Sequence, residues 1–144
     1  MRFSQTDVHS RWTKSNQSTK TERAKSPHRL NLPKSLRILK RREFQDISRN
    51  HHTFTGNQVY IQYREALSPK IGITISRKFG SAVERNRFKR LVREAFRKIS
   101  YELPPIDIII MPRKNCLVFS LTWILNDLRQ LKGQYAQHSA EKSR

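Results

Sequence analysis

The sequence predicts an α+β domain in which about three helices pack with a small mixed sheet of about four strands. Three observations carry that reading. Apolar residues alternate at Val59, Ile61 and Tyr63, and again at Ile71, Ile73 and Ile75, the period of a half-buried strand. Phe88, Leu91, Val92, Ala95, Phe96 and Ile99 instead follow the 3.6-residue period and form one stripe along a helix. The two patterns interleave along the chain without an internal repeat, and only 35% of the 144 residues are hydrophobic, so the core is modest.

Element by element, the stretch Lys40–Arg49 carries Phe44 and Ile47 three apart, which predicts a short first helix with Asn50 as a left-handed stop. Phe54 falls on a brief strand, and Gly56-Asn57 turn the chain into the strand Val59–Arg64. Ser68-Pro69 make the next turn and lead into a strand over Lys70–Ser76. Ser81 and Glu84 stand three apart as a capping box, so the long helix starts at Ala82. Pro104-Pro105 close that region, and the apolar run Ile106–Met111 suits a buried strand. Leu121, Ile124, Leu125, Leu128 and Leu131 predict a last amphipathic helix, capped by Ser120 and stopped by Gly133.

The ends read differently. Residues 1–29 are polar, without periodicity, and hold seven basic and two acidic residues; the expectation is a disordered basic tail. The folded domain then spans 30–133, and 134–144 form a shorter flexible tail. Cys116 stands alone, which excludes a disulfide framework and suits a buried packing residue. No apolar run approaches the ~20 residues of a membrane span, and no signal-peptide core follows the N-terminus. The expectation is a cytoplasmic protein with no membrane partner.

Charge narrows the function. Thirty Lys and Arg oppose eleven Asp and Glu, a formal net charge of +19. So large an excess repels itself in a compact fold and suits a polyanionic partner that releases counterions on binding. One face of the long helix is almost entirely basic: Arg85, Lys89, Arg93 and Arg97 recur every fourth residue beside Asn86, Arg87 and Arg90, with Glu94 the one anion between Arg85 and Lys98. Like charges at that spacing weaken an isolated helix, and ordinary solvated faces mix both signs. Phosphates aligned along the helix offset the repulsion, and arginine's planar fork suits them.

The segment from Lys78 through Gly80, Ala82, Arg85-Asn86-Arg87 and Lys89-Arg90 to Arg93 closely resembles the signature of the ribonuclease P protein family. Leu32-Pro33-Lys34, Glu43-Phe44 and Ile71-Gly72-Ile73 agree, so the resemblance spans roughly residues 32–132. It implies a ribosomal-protein-like fold in which the motif helix lies in a left-handed β-α-β crossover, against the general right-handed rule. It also implies a subunit of an endoribonuclease that removes the 5′ leader of precursor tRNA, the chemistry being done by a catalytic RNA and its bound Mg2+. The protein then binds no cofactor and carries no catalytic residue. Its partners are that RNA and the single-stranded leader.

Carried over, Lys78, Arg85, Asn86, Arg87, Lys89, Arg90, Arg93 and Arg97 form the RNA-binding group. Phe44, Tyr60 and Gln62 line the leader cleft. Phe44 suits core packing as well as base stacking. Ser48 and Gln62 stand where the family tends to carry aromatic or apolar groups, which removes stacking surface worth ~1–3 kcal/mol per base.

The residues themselves show no protein-borne active site. The carboxylates are scattered, without a pair spaced for acid and base work. His51 and His52 point to opposite faces of a strand and do not share a metal. Two other classes stand beside this reading: a structural RNA-binding protein, which accounts for the charge but not the Arg-Asn-Arg context, and a protein-only nuclease, which needs a carboxylate cluster.

Overall fold

A computed structural model of the chain describes residues 31–144 apart from Leu117; the stretch 1–29 read as a tail lies outside them. The compact unit Leu32–Arg144 runs through α1 (Arg41–Arg49), β1 (His52–Thr55), β2 (Val59–Glu65), β3 (Lys70–Ile73), α2 (Ala82–Ile99), β4 (Ile106–Pro112) and α3 (Leu121–Lys142). Short 3-10 turns occupy Lys34–Leu36 and Arg77–Phe79. The strands form one mixed sheet in the order β1-β2-β4-β3, antiparallel except where β3 runs parallel to β4. The long helix α2 is thus the crossover between the two parallel strands.

Burial follows from this order. β4 lies inside the sheet and is covered on both faces, so Ile106, Ile108, Ile109 and Ile110 are all buried, and its sequence is a continuous apolar run. β2 keeps the alternation, with Val59, Ile61 and Tyr63 buried and Tyr60 and Gln62 half-buried. The main core sits on the face where α2 brings Phe88, Val92, Ala95, Phe96 and Ile99 and α3 brings Ile124, Leu128 and Leu131. On the opposite face a smaller cluster joins Ile47 of α1 to Ile38 and Ile109, with Phe44 against it.

Four local expectations give way to the structure. The third strand ends at Ile73 rather than Ser76, because Ser76 already caps the Arg77–Phe79 turn by accepting from the Lys78 N–H. Asn50 has φ −126° and does not stop α1 in a left-handed conformation. Ser120 precedes α3 without a side-chain cap; its N–H donates instead to Gln58 Oε1 at 3.0 Å. Cys116 is half-buried rather than buried, its thiol 3.2 Å from the Val118 carbonyl.

Gly133 does not end the last helix, which continues to Lys142 through the stretch read as a flexible tail. Side-chain contacts to the sheet account for the extension. Tyr135 packs edge-on to Tyr63 at 6.3 Å, the His138 ring lies tilted against His52 at 5.0 Å, and Lys142 pairs with Glu65 at 3.4 Å. Burial, with Tyr135 beside it, raises the Tyr63 hydroxyl pKa. His51 turns away, placing Nδ1 3.0 Å from the Ser48 carbonyl.

Asp127 of α3 is fully buried and ties that helix to the turn between β1 and β2. Its carboxylate accepts from the backbone N–H groups of Asn57 and Gln58 at 2.9 Å and of Val59 at 3.3 Å. Gly56 is required there, since a Cβ at that position lies 2.5 Å from the Asp127 carboxyl carbon.

Candidate nucleic-acid interface

The loop entering α2 is held by its own side chains. Ser81 Oγ accepts from the Glu84 N–H at 3.3 Å, while Glu84 Oε2 accepts from the Ser81 N–H at 2.8 Å and its hydroxyl at 3.1 Å. Those bonds hold the Glu84 carboxyl below its ordinary pKa. Gly80 passes close to the same carboxylate, leaving no room for a Cβ. The capping box therefore fixes where the helix begins, and with it the direction in which each later cation points.

From that start the basic residues line the outer side of α2. Arg87, Arg90, Arg93 and Asn86 are exposed, Arg85, Lys89 and Arg97 are half-buried, and Lys78 is exposed on the preceding turn. Among the described residues, no carboxylate lies within ion-pair distance of these seven cations. Arg85 Nε donates to the Ser81 carbonyl at 3.4 Å. Asn86 takes no part in the hydrogen bonds of the loop, which run among Ser76, Lys78, Ser81, Glu84 and Arg85. Four residues of helix advance ~6 Å, so Arg85, Lys89, Arg93 and Arg97 form a regular row of positive charge.

The cations do not share one flat face. Residues two apart on a helix point roughly 200° apart, and Lys89 and Arg87 accordingly flank α2 on opposite sides. Lys89 lines a groove of about 610 Å³ between α1 and the end of β3, with Phe44, Gln45, Ser48, Ile73 and Ile75. Arg87 and Lys78 line a separate groove on the other flank.

The three residues assigned to a cleft lie on one face of the sheet, spread across its strands. The edge of the Phe44 ring comes so close to β3 that a Cβ at Gly72 lies 2.5 Å from its Cε1. Gln62 stands opposite Ile109 in the register, and Gly72 stands opposite Ile109 from the other side, so Tyr60, Gln62 and Phe44 share one sheet face. β4 separates them, however, and neither Tyr60 nor Gln62 lines the Phe44 groove. The Tyr60 hydroxyl instead reaches Thr53 Oγ at 3.5 Å. Phe44 packs against Gly72 and the Ile38 cluster and is half-exposed to the groove. Lys89, Gln45, Ile73 and Ile75 were missed as groove residues, because only the crossover brings β3 and α2 beside α1.

Among the described residues, no three of His, Cys, Asp and Glu are placed to hold a metal ion. No helix there is long and apolar enough to cross a membrane.

A family model described as Ribonuclease P matches residues 32–136. The ribonuclease P protein component of Chlamydia trachomatis serovar D is 47% identical over 90 residues, covering 60% of this chain and 75% of that protein. That of Chlamydia muridarum is 42% identical over 93 residues, covering 62% and 78%. The RNase P protein from Thermotoga maritima superposes with a TM-score of 0.61 at 28% identity, covering 68% of this chain and 96% of that one. The Staphylococcus aureus RNase P protein gives 0.61 at 29% identity, covering 72% and 96%.

Proposed function

Since the chain belongs to the ribonuclease P protein family, and so is the protein subunit of an endoribonuclease ribonucleoprotein of tRNA processing, we propose that it contacts RNA through two adjoining surfaces. The α2 cations with Lys78 hold the catalytic RNA, and the groove between α1 and β3 takes the single-stranded 5′ leader of precursor tRNA. The observation that carries this reading is the row of cations without carboxylate partners on α2, whose member Lys89 also lines the groove beside Phe44. Lys89 makes the two surfaces adjoin, so the catalytic RNA on the helix and the leader in the groove lie side by side.

In this reading the bond-breaking chemistry belongs to the RNA and its Mg2+. The protein lowers phosphate repulsion and holds the substrate: arginines on α2 give charge-assisted hydrogen bonds to phosphates, and the half-exposed Phe44 ring stacks on a leader base. Tyr60 and Gln62, two strands away on the same face, meet the leader only if it continues across β4. Ser48 offers the groove a hydroxyl in place of a ring, so the leader contact here is more polar than a two-aromatic cleft.

The test is reconstitution. Purified protein, the cognate catalytic RNA and precursor tRNA are combined singly and together, and 5′ cleavage is followed. Cleavage is expected only when the catalytic RNA is present, with the protein raising the rate most at low Mg2+. Chelator-sensitive cleavage by nuclease-free protein alone overturns the reading. Phe44→Leu, which retains an apolar group over Gly72 but removes the ring, is expected to lose leader-dependent affinity and keep affinity for the catalytic RNA.

A further inference from the structure

We propose that the groove on the Arg87 flank of α2 receives a single unpaired nucleotide of the partner RNA, its base lying on Phe79 and Phe119 and its phosphate at Lys78, Arg87 and Lys114. The proposal rests on the RNA-binding reading above and adds a site distinct from the α1 groove.

Three features of the groove specify this occupant. Its floor is aromatic: Phe79 and Phe119, both half-exposed, have ring centroids 5.6 Å apart and sit over the buried Phe88 at 6.2 and 4.8 Å. Leu91 extends the floor, and it is the one residue of the α2 apolar stripe that the core leaves half-exposed. Its rim is cationic, because Lys78, Arg87 and Lys114 come from three different segments and converge on one opening. Its volume of about 830 Å³ lies in the range of sites that enclose a small organic group rather than a duplex.

An apolar floor under a cationic rim matches the two halves of a nucleotide. Stacking on a half-buried ring is favourable for any base, and the three cations complement the phosphate. A bare phosphate leaves the aromatic floor without purpose, and an apolar peptide side chain leaves the cations without one. Glu84 also borders the groove, but its carboxylate is already engaged by Ser81. The loop order matters as well: Ser76 and Ser81 fix both ends of the Lys78-Phe79 turn, so the ring and the cation are presented together.

The experiment measures affinity of the full chain for the cognate catalytic RNA across a salt series, with thermal melts of every variant. Phe79→Leu and Phe119→Leu retain apolar bulk, and each is expected to weaken binding about tenfold without changing the slope of log affinity against log salt. Arg87→Ala is expected to lower both affinity and slope. Ultraviolet crosslinking of the wild-type complex, read by mass spectrometry, is expected to place a nucleotide adduct on Phe79 or Phe119. Folded Phe variants that bind RNA like the wild type overturn the nucleotide site while leaving the α2 interface standing, as do adducts found only elsewhere. That is also the result if the groove takes a protein side chain. Failure of the wild-type chain to bind the RNA overturns the RNA reading as a whole.

Discussion

A single buried carboxylate joins two parts of the chain that lie about seventy residues apart. Asp127 supplies both oxygens to three backbone N–H groups of the β1–β2 turn, and Gln58 in that turn reaches back, its amide donating to the Val118 carbonyl at 2.9 Å and accepting from the Ser120 N–H. Removing the acceptor strands the buried Gln58 and Val59 donors, which costs far more than a normal hydrogen bond contributes. Asp127→Ala is therefore expected to lower stability by about 3 kcal/mol or more, measured by urea unfolding. Asp127→Asn, which keeps one acceptor oxygen, should lose less. A variant as stable as the wild type would show that the turn does not depend on α3. Its spacing, three after Ile124 and four before Leu131, puts Asp127 beside the apolar stripe, but no local pattern names the turn N–H groups that its carboxylate meets.

At the scale of elements, α2 and α3 show how far local rules reach. The α2 boundaries follow from the capping box and the stripe, and both stand in the structure as the spacing requires. In α3 the local rule fails at Gly133, where tertiary contacts from Tyr135, His138 and Lys142 offset the glycine's helix penalty. Nothing lies within 4 Å of a Cβ placed on Gly133. Gly133→Ala is accordingly expected to stabilise the protein by about 0.5–1 kcal/mol, visible as a raised melting temperature. A glycine that truly stopped the helix would give the opposite sign.

The basic side of α2 makes the second prediction at this scale. Arg90 and Arg93 are exposed, and no described carboxylate pairs with them. Removing one cation from a phosphate should flatten the plot of log affinity against log salt by roughly 0.7–0.9. Arg90→Ala and Arg93→Ala should thus weaken binding to the catalytic RNA and reduce that slope while melting like the wild type. Unchanged affinity and slope in both would place the RNA elsewhere.

At the scale of the whole molecule, charge and core are kept apart. The main core lies between the sheet and the inner sides of α2 and α3, and the smaller one lies under α1. The seven cations between Arg85 and Lys98 are therefore displayed at little cost to packing, on a helix fixed at one end by its cap and along its length by five buried side chains. That separation lets the cationic face be rewritten without unfolding the domain. The two grooves run along opposite flanks of the same helix, one lined by Lys89 and the other by Arg87.

Much of this was determined by the sequence alone. The alternation in β2, the stripe and cap of α2, the apolar run of β4 and the unmixed charge from Arg85 to Lys98, broken only by Glu94, are all short-range patterns, set by side-chain periods of two and 3.6 residues. They established the α+β class and the basic helix, and the Lys78–Arg93 signature pointed to the family. What the tertiary structure decided is which patterns meet. The insertion of β4 between β2 and β3 parts Phe44 from Tyr60 and Gln62. The parallel crossover carries Lys89 to α1 and Arg87 to Phe79 and Phe119. The sheet draws α3 past its glycine. Each depends on residues far apart in the chain, and a contact between distant segments is fixed by the packing of the whole core, which no local period encodes.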